Sequence, residues 1–145
     1  MDNTYLFSMQ EQLSQLKSEL QGLTDIIKQG ELSRYEYRAA KRILQILIEG
    51  CIGIAKHWAY ALNSSAPADA YSAFEALSQQ GIADINKVKW RKIIDMRNAL
   101  VHDYLNIEAE IIRVLINNAT YTELFNFAEN GLLALKQIDL KSKNK

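Results

Sequence analysis

The sequence predicts an all-α fold, an up-and-down bundle of about five or six helices. Apolar residues recur at helical spacing along most of the chain, and no run alternates apolar and polar residues between turns as a strand would. Only one proline and six glycines interrupt the 145 residues. This length fits one domain. We expect residues 1–140 to form it and residues 141–145 to be a disordered basic tail.

The first helix is predicted by apolar residues that alternate spacings of three and four. This spacing places them on one face, while Gln, Ser, Glu and Lys fill the other. Gly30 is the expected end of the helix. The seam consists of Leu6, Met9, Leu13, Leu16, Leu20, Leu23 and Ile27.

The second helix is predicted from Ser33 to Leu62. It starts polar and becomes apolar on nearly every side from Ile43 onwards. A helix of this kind lies at the centre of a bundle or at a subunit contact. Gly50 and Gly53 lie in its middle, with Ala61 further on, and we expect these small residues to form a groove against which a second backbone packs closely.

The second half of the chain contains shorter predicted helices. Residues 63–67 are a loop, and a short helix follows from Asp69 to Gln80, ended by Gly81, with an apolar stripe of Tyr71, Phe74 and Leu77. The next helix starts with Asp84 as its N-cap and ends close to Tyr104, and another runs from Asn106 to Asn117. Thr120 and Glu123 form a predicted capping box before the last helix, whose apolar residues are Leu124, Phe127, Leu132 and Leu135.

Composition excludes several classes of protein. Seventeen basic residues balance seventeen acidic ones, which weighs against a broad electrostatic groove but permits a site that binds one or two phosphates. The single cysteine, Cys51, excludes an internal disulfide and suits a reducing compartment. No apolar run approaches the roughly 20 residues of a membrane span, and no signal peptide is recognisable, so we expect a cytoplasmic protein with no membrane contact.

Few residues can support catalysis. No His, Cys, Asp and Glu cluster has the spacing of a metal site, and neither a phosphate-binding loop nor a nucleophile elbow is present, so we expect no metal and no cofactor. Of the two histidines, His57 stands beside Trp58 and suits a structural role.

The stretch Arg97-Asn98-Ala99-Leu100-Val101-His102-Asp103-Tyr104 is the candidate site. A histidine that titrates near neutrality can move the protons required for RNA cleavage by the 2′-hydroxyl, and a guanidinium can hold the phosphate. His102 nevertheless follows Arg97 by about 140° on a continuous helix. The two side chains converge more easily if the helix ends near His102, or if two chains meet. Alternatively, these residues cap carbonyls and pair with Asp95 or Asp103.

The same octet resembles the R-x4-H motif of HepT proteins, HEPN-family ribonuclease toxins paired with a minimal nucleotidyltransferase antitoxin (MntA). The stretch from Arg42 to His57 also looks like the second helix of that family, and the resemblance covers roughly Tyr35 to Ala128. It implies a HEPN-like helical domain that forms a homodimer, with the site at the dimer interface.

The resemblance also implies a function. It indicates a metal-independent endoribonuclease of a type VII toxin–antitoxin pair that cleaves an RNA, tRNA or mRNA, and assembles into a larger complex with the antitoxin. Arg97 and His102 would be catalytic, Asn98 and Tyr104 would support substrate binding, and Tyr104 would be the tyrosine to which the antitoxin attaches AMP.

One position departs from the family. Relatives usually carry an acidic residue where this chain has Gly53, while Glu49 remains four residues earlier. Glu49 is predicted either to support the site alone or to form an ion pair with Arg42, Lys56 or Arg97. The neutral charge and Gly53 also leave a second hypothesis open, a non-catalytic helical module that binds a nucleotidyltransferase.

Overall fold

A computed structural model describes residues 3–102, 112–113, 115–116 and 120–143. Within these ranges the chain is helical between its connections and contains no strand, so the predicted all-α class is confirmed. A single 3-10 turn spans Ile85–Lys87, and residues 112–113 and 115–116 are helical as well. The five long helices are α1 (Asn3–Gln29), α2 (Arg34–Asn63), α3 (Ala70–Gln79), α4 (Trp90–Val101) and α5 (Thr120–Lys143).

Helix α1 packs against α2 and α5 through the predicted apolar seam. Six of the seven seam residues are buried, and Met9 is half-buried against the core. The helix ends at Gln29, immediately before Gly30, as expected. The N–H of Gly30 closes its last turn by donating to the carbonyl of Ile26 at 3.1 Å. The three-four spacing alone therefore located both the helix and its buried face.

Helix α2 is the centre of the bundle, as predicted, and packs against each of the other four long helices. It begins with a capping box, in which Ser33 Oγ accepts from the Glu36 N–H at 3.1 Å and Glu36 Oε1 accepts from the Ser33 N–H at 2.8 Å. The expected close approach of a second backbone at Gly50 and Gly53 is wrong: among the described residues, the nearest atoms belong to the side chains of Met9 and Tyr5 from α1, which fill the space beside the two glycines.

Two predictions in the second half of the chain are wrong. Asp84 does not cap a long helix: it has a φ of 63° and makes no capping bond, and the chain is extended at Val88 before α4 begins. On a continuous helix Ile85 and Trp90 would point about 140° apart. The break allows both to be buried, and the indole N–H of Trp90 donates to the Ile85 carbonyl at 2.9 Å.

Tyr71 is the second correction, because it is exposed instead of belonging to the apolar stripe of α3. Phe74 and Leu77 are buried as predicted, together with Ala70 and Ala73. Phe74 stacks on Trp90 with the ring centroids 3.9 Å apart, which joins α3 to α4. The four apolar residues predicted for the last helix are all buried in α5.

The ends of the later elements differ partly from expectation. Helix α5 continues to Lys143, so residues 141–143 extend the helix into the segment expected to be a tail. Thr120 is its first residue, and the predicted helix from Asn106 to Asn117 falls largely outside the described residues. None of the described helices is both long and apolar enough to cross a bilayer.

Candidate active site

The site begins where α4 ends. The helix stops at Val101, and His102 is its C-cap, with φ −105° and ψ 44°. The backbone N–H of His102 still donates to the carbonyl of Asn98 at 3.0 Å, which closes the last turn. The side chains of Asn98 and His102 are exposed. His102 therefore lies at a helix end open to solvent, one of the two arrangements that the sequence favoured.

Arg97 lies one turn earlier and is half-buried. Its Nε donates to Asn98 Oδ1 at 2.8 Å, so Asn98 fixes the plane of the guanidinium. This bond uses the Nε–H, and the two Nη groups are the ones that can face a phosphate. An ion pair between Arg97 and Asp95, one of the predicted alternatives, is absent among the described residues, and Asp95 accepts a hydrogen bond from Tyr71. Asp103 and Tyr104 lie outside the described residues.

Arg97 and His102 differ in burial. The recorded side-chain partner of Arg97 is Asn98 and not His102. Arg97 is half-buried, whereas His102 is exposed, as expected for two residues that are about 140° apart on helix geometry. On regular helix geometry we do not expect one copy alone to bring both groups to a single phosphate, and a site shared by two chains stays a prediction.

Glu49 is exposed on α2, and its carboxylate accepts a hydrogen bond from Gln45 Nε2 at 3.2 Å. An ion pair with Arg42, Lys56 or Arg97, the structural alternative from the sequence, is absent among the contacts of the described residues. Glu49 is therefore held by a neighbour on its own helix, and its carboxylate does not fix the orientation of Arg97.

Gly53, at the position where relatives usually carry an acidic residue, faces Tyr5 of α1. A Cβ atom at position 53 would lie 3.5 Å from the Tyr5 hydroxyl, and the Tyr5 ring is 4.3 Å from the ring of His57. Burial, with a smaller contribution from Cys51, raises the pKa of Tyr5 to about 12, so its hydroxyl is neutral near pH 7. Desolvation lowers the pKa of His57. The contact with Tyr5 suits the structural role expected for His57.

The sequence analysis missed a polar cluster on the α4 surface. Tyr71 of α3 donates to Asp95 Oδ1 at 3.0 Å, and the guanidinium carbon of Arg91 lies 5.1 Å from the centre of the Tyr71 ring. The signal was present in α4, because Arg91, Asp95, Asn98 and His102 follow at spacings of four, three and four. Polar residues at such spacings share one face of a helix.

The described part of the chain contains no group of three His, Cys, Asp or Glu side chains placed to hold a metal ion. The functional groups at the end of α4 are the Arg97 guanidinium, the Asn98 amide and the His102 imidazole.

Comparison with known proteins supplies one match. The sequence model of a family described as Ribonuclease HepT-like matches residues 9–130, which include the whole candidate site. No curated protein and no solved structure matches the chain.

Proposed function

Because this chain belongs to the HepT-like ribonuclease family, we propose that it is a metal-independent endoribonuclease toxin that acts as a homodimer. Its substrate is an RNA, and a nucleotidyltransferase antitoxin of the MntA type controls it. The catalytic residues are Arg97 and His102, with Asn98 positioning Arg97.

The observation that carries this proposal is the arrangement at the end of α4. Asn98 binds the Arg97 side chain at 2.8 Å, and the helix stops immediately before an exposed His102. A fixed guanidinium stabilises the charge that develops on phosphate, and a histidine at a solvent-exposed helix end can exchange protons. Both groups act on the same phosphate if a second copy places its own α4 end across the first.

The proposed reaction needs only groups of the two chains and the RNA. His102 of one chain accepts the proton of the 2′-hydroxyl, and the 2′-oxygen forms a bond to the adjacent phosphorus. The bond from phosphorus to the 5′-oxygen breaks, and the same His102, now protonated, returns the proton to that oxygen. Arg97 stabilises the extra charge on the phosphoryl oxygens. The products carry a 2′,3′-cyclic phosphate and a 5′-hydroxyl, and water can open the cyclic ester to a 3′-phosphate.

The first test uses purified protein in EDTA and a labelled RNA. We expect cleavage to persist, and His102→Ala to lower its rate by about 10²–10⁴-fold, the usual contribution of one general acid or base. The matched control is His57→Ala, the other histidine, which should cut at nearly the wild-type rate. A requirement for Mg²⁺, or unchanged cleavage by His102→Ala, would refute the mechanism.

The two-chain site has its own test. Arg97→Ala and His102→Ala proteins are each expected to be nearly inactive, because each lacks one group in both copies. When the two variants exchange subunits, the mixed dimer contains an intact Arg97 from one chain opposite an intact His102 from the other. We expect part of the activity to return. Mixed dimers that form and stay inactive would contradict a site shared between chains.

Control by AMP transfer rests on Tyr104, two residues after His102 in the sequence. A phosphate attached there would add negative charge beside the proton carrier and compete with the RNA phosphate. Co-expression with the antitoxin should add the mass of AMP to the peptide that contains Tyr104, and Tyr104→Phe should escape this modification. An inactive complex with an unmodified peptide would indicate steric blocking.

Gly53 and the hydrogen bond of Glu49 to Gln45 favour a second candidate, a helical module that only binds the nucleotidyltransferase. This module would lack an acid aimed at Arg97 or His102. Expression of the intact chain without the antitoxin separates the two candidates. A ribonuclease toxin arrests growth and Arg97→Ala relieves the arrest, whereas a binding module leaves growth unchanged.

A further inference from the structure

The exposed face of α4 continues beyond the candidate site. Taking 3.6 residues per turn, Arg91, Asp95, Asn98 and His102 fall within about 60° of one another around the helix axis. All four side chains are exposed. Arg91 precedes His102 by eleven residues, about 16 Å along the axis at 1.5 Å per residue. The proton carrier and a second arginine thus lie on one stripe, which we call the α4 stripe.

Arg91 is held in place on this stripe by neighbours that are themselves fixed. Its guanidinium carbon lies 5.1 Å from the centre of the Tyr71 ring, a cation–π contact. The hydroxyl of Tyr71 donates to Asp95 Oδ1 at 3.0 Å, which fixes the ring. A carboxylate would accept hydrogen bonds from the N–H groups of Arg91, whereas the face of the Tyr71 ring does not. The N–H groups of Arg91 can therefore donate to an anion.

The charge around the stripe favours a phosphate-bearing ligand. Residues 84–102 contain five basic and two acidic residues, although the whole chain has no net charge. Of the two acids, Asp95 is already bonded to Tyr71, and Asp84 forms an ion pair with Lys87 at 3.5 Å. The segment that ends at His102 therefore carries a surplus of three positive charges, and residues 34–42 carry an equal surplus.

We propose that Arg91 and Tyr71 form a second RNA-binding site, in which Arg91 binds a backbone phosphate of the strand being cut and Tyr71 positions Arg91. This inference rests on the proposed ribonuclease function and adds the path of the substrate. A stacked strand has one phosphate about every 3.4 Å of rise, so about five nucleotides separate this phosphate from the cleaved bond. The bound RNA is single-stranded over that distance and runs along α4.

The first measurement is RNA binding by the full chain. All variants carry His102→Ala to prevent cleavage, and the probe is a fluorescein-labelled, mixed-sequence, single-stranded RNA of 20 nucleotides. Arg91→Ala should weaken binding about tenfold. It should also reduce the slope of log affinity against log salt by about 0.7, the contribution of one phosphate on a single strand. Tyr71→Ala should weaken binding less, because the guanidinium remains but loses its support.

The matched control is Lys92→Ala, which removes the same charge one residue further along but about 100° around the helix. It should change affinity by less than twofold. Equal effects of Arg91→Ala and Lys92→Ala would mean that RNA responds only to the overall positive charge of the segment, and would overturn the proposal. Unchanged RNA binding by Arg91→Ala, with lost binding to the nucleotidyltransferase, would assign the stripe to a protein partner and also overturn it.

The second measurement separates this site from the ribonuclease proposal. Chimeric oligonucleotides with one ribonucleotide in a DNA strand confine cleavage to one bond. A series of these oligonucleotides is made with increasing numbers of nucleotides on one or the other side of that bond. Arg91→Ala should slow the cutting of strands that extend about five nucleotides to one side and leave shorter ones unaffected. Cleavage that is insensitive to Arg91→Ala at every length refutes only the second site. RNA binding that depends on Arg91 in a chain that never cleaves refutes only the ribonuclease.

Discussion

Gly131 of α5 packs closely against the central helix α2. A Cβ atom added there would lie 2.5 Å from Ile54 Cγ2 and 3.3 Å from Trp58 Cε3. Carbon atoms in contact prefer about 3.5–4.0 Å, so Gly131→Ala forces a separation of about 1 Å between two helices. Ile54 and Trp58 are both buried and cannot move into solvent. We predict that this substitution destabilises the fold.

The expected magnitude follows from two opposing effects. An overpacked core residue costs about 1–3 kcal/mol, whereas replacing a helical glycine by alanine stabilises by about 0.8–1.0 kcal/mol. Because the neighbours of Gly131 are buried, we expect a net loss of about 1–2 kcal/mol. For a domain near this size the midpoint of thermal unfolding should fall by about 2–8 °C, taking 2–4 °C per kcal/mol.

Gly22→Ala is the matched control. Gly22 lies inside α1, and a Cβ there would meet nothing within 4 Å. The same methyl group should therefore raise the free energy of unfolding by about 0.8–1.0 kcal/mol. Both variants are compared by denaturant unfolding with a common m-value. If Gly131→Ala is as stabilising as Gly22→Ala, the contact with Ile54 does not constrain the packing.

A double-mutant cycle identifies the atom responsible. Ile54→Ala removes Cγ2, so in that background Gly131→Ala should lose its unfavourable effect, a coupling of about 1–3 kcal/mol. Ile54→Val keeps Cγ2 and removes only Cδ1, and should not rescue. Equal rescue by both would show that total volume matters and not the predicted contact.

Three further predictions follow from single groups. Asn98→Ala should lower kcat/KM by about tenfold, because Arg97 loses the bond that fixes it (about 1.4 kcal/mol, close to the lower end of the range for a hydrogen bond to a charged group), whereas thermal stability should hardly change. In the folded protein Tyr5 keeps its proton up to about pH 12, whereas a tyrosine in the unfolded chain loses it near pH 10. The free energy of unfolding should therefore fall between pH 10 and about 12, and Tyr5→Phe should abolish this part of the fall in alkaline unfolding curves. Burial raises the pKa of the Cys51 thiol, and its Sγ lies 3.4 Å from the Leu124 carbonyl. A maleimide should therefore label Cys51 only when the fold opens, and labelling should be faster in the Gly131→Ala variant.

Local patterns were sufficient to predict most of the helices. The three-four spacing in α1 and the nearly continuous apolar residues of α2 from Ile43 onwards were sufficient, because each pattern depends only on neighbours in the sequence. Asp84 was misassigned because the break before α4 is imposed by tertiary packing, which requires Ile85 and Trp90 to be buried together. No periodic pattern within one helix contains that requirement.

The candidate site was predictable in composition but not in contacts. The octet identified Arg97, Asn98 and His102, and the end of α4 before His102 agrees with one of the expected geometries. The sequence did not indicate that Asn98 binds Arg97, or that Asp95 binds Tyr71, because both depend on side-chain conformation and on how α3 docks against α4. Tyr71 was assigned to the core because an aromatic residue near an apolar stripe is usually buried.

The net charge of zero conceals an uneven distribution of charge along the chain. Residues 84–102 carry a surplus of three positive charges, so the rest of the chain carries an equal negative surplus. A local surplus of positive charge attracts a polyanion even where the net charge of the whole chain is zero. If each chain grips only the two phosphates at Arg91 and Arg97, the slope of log affinity against log salt should be about −1.4 per chain. A steeper slope would mean that basic residues other than Arg91 and Arg97 also bind the RNA backbone.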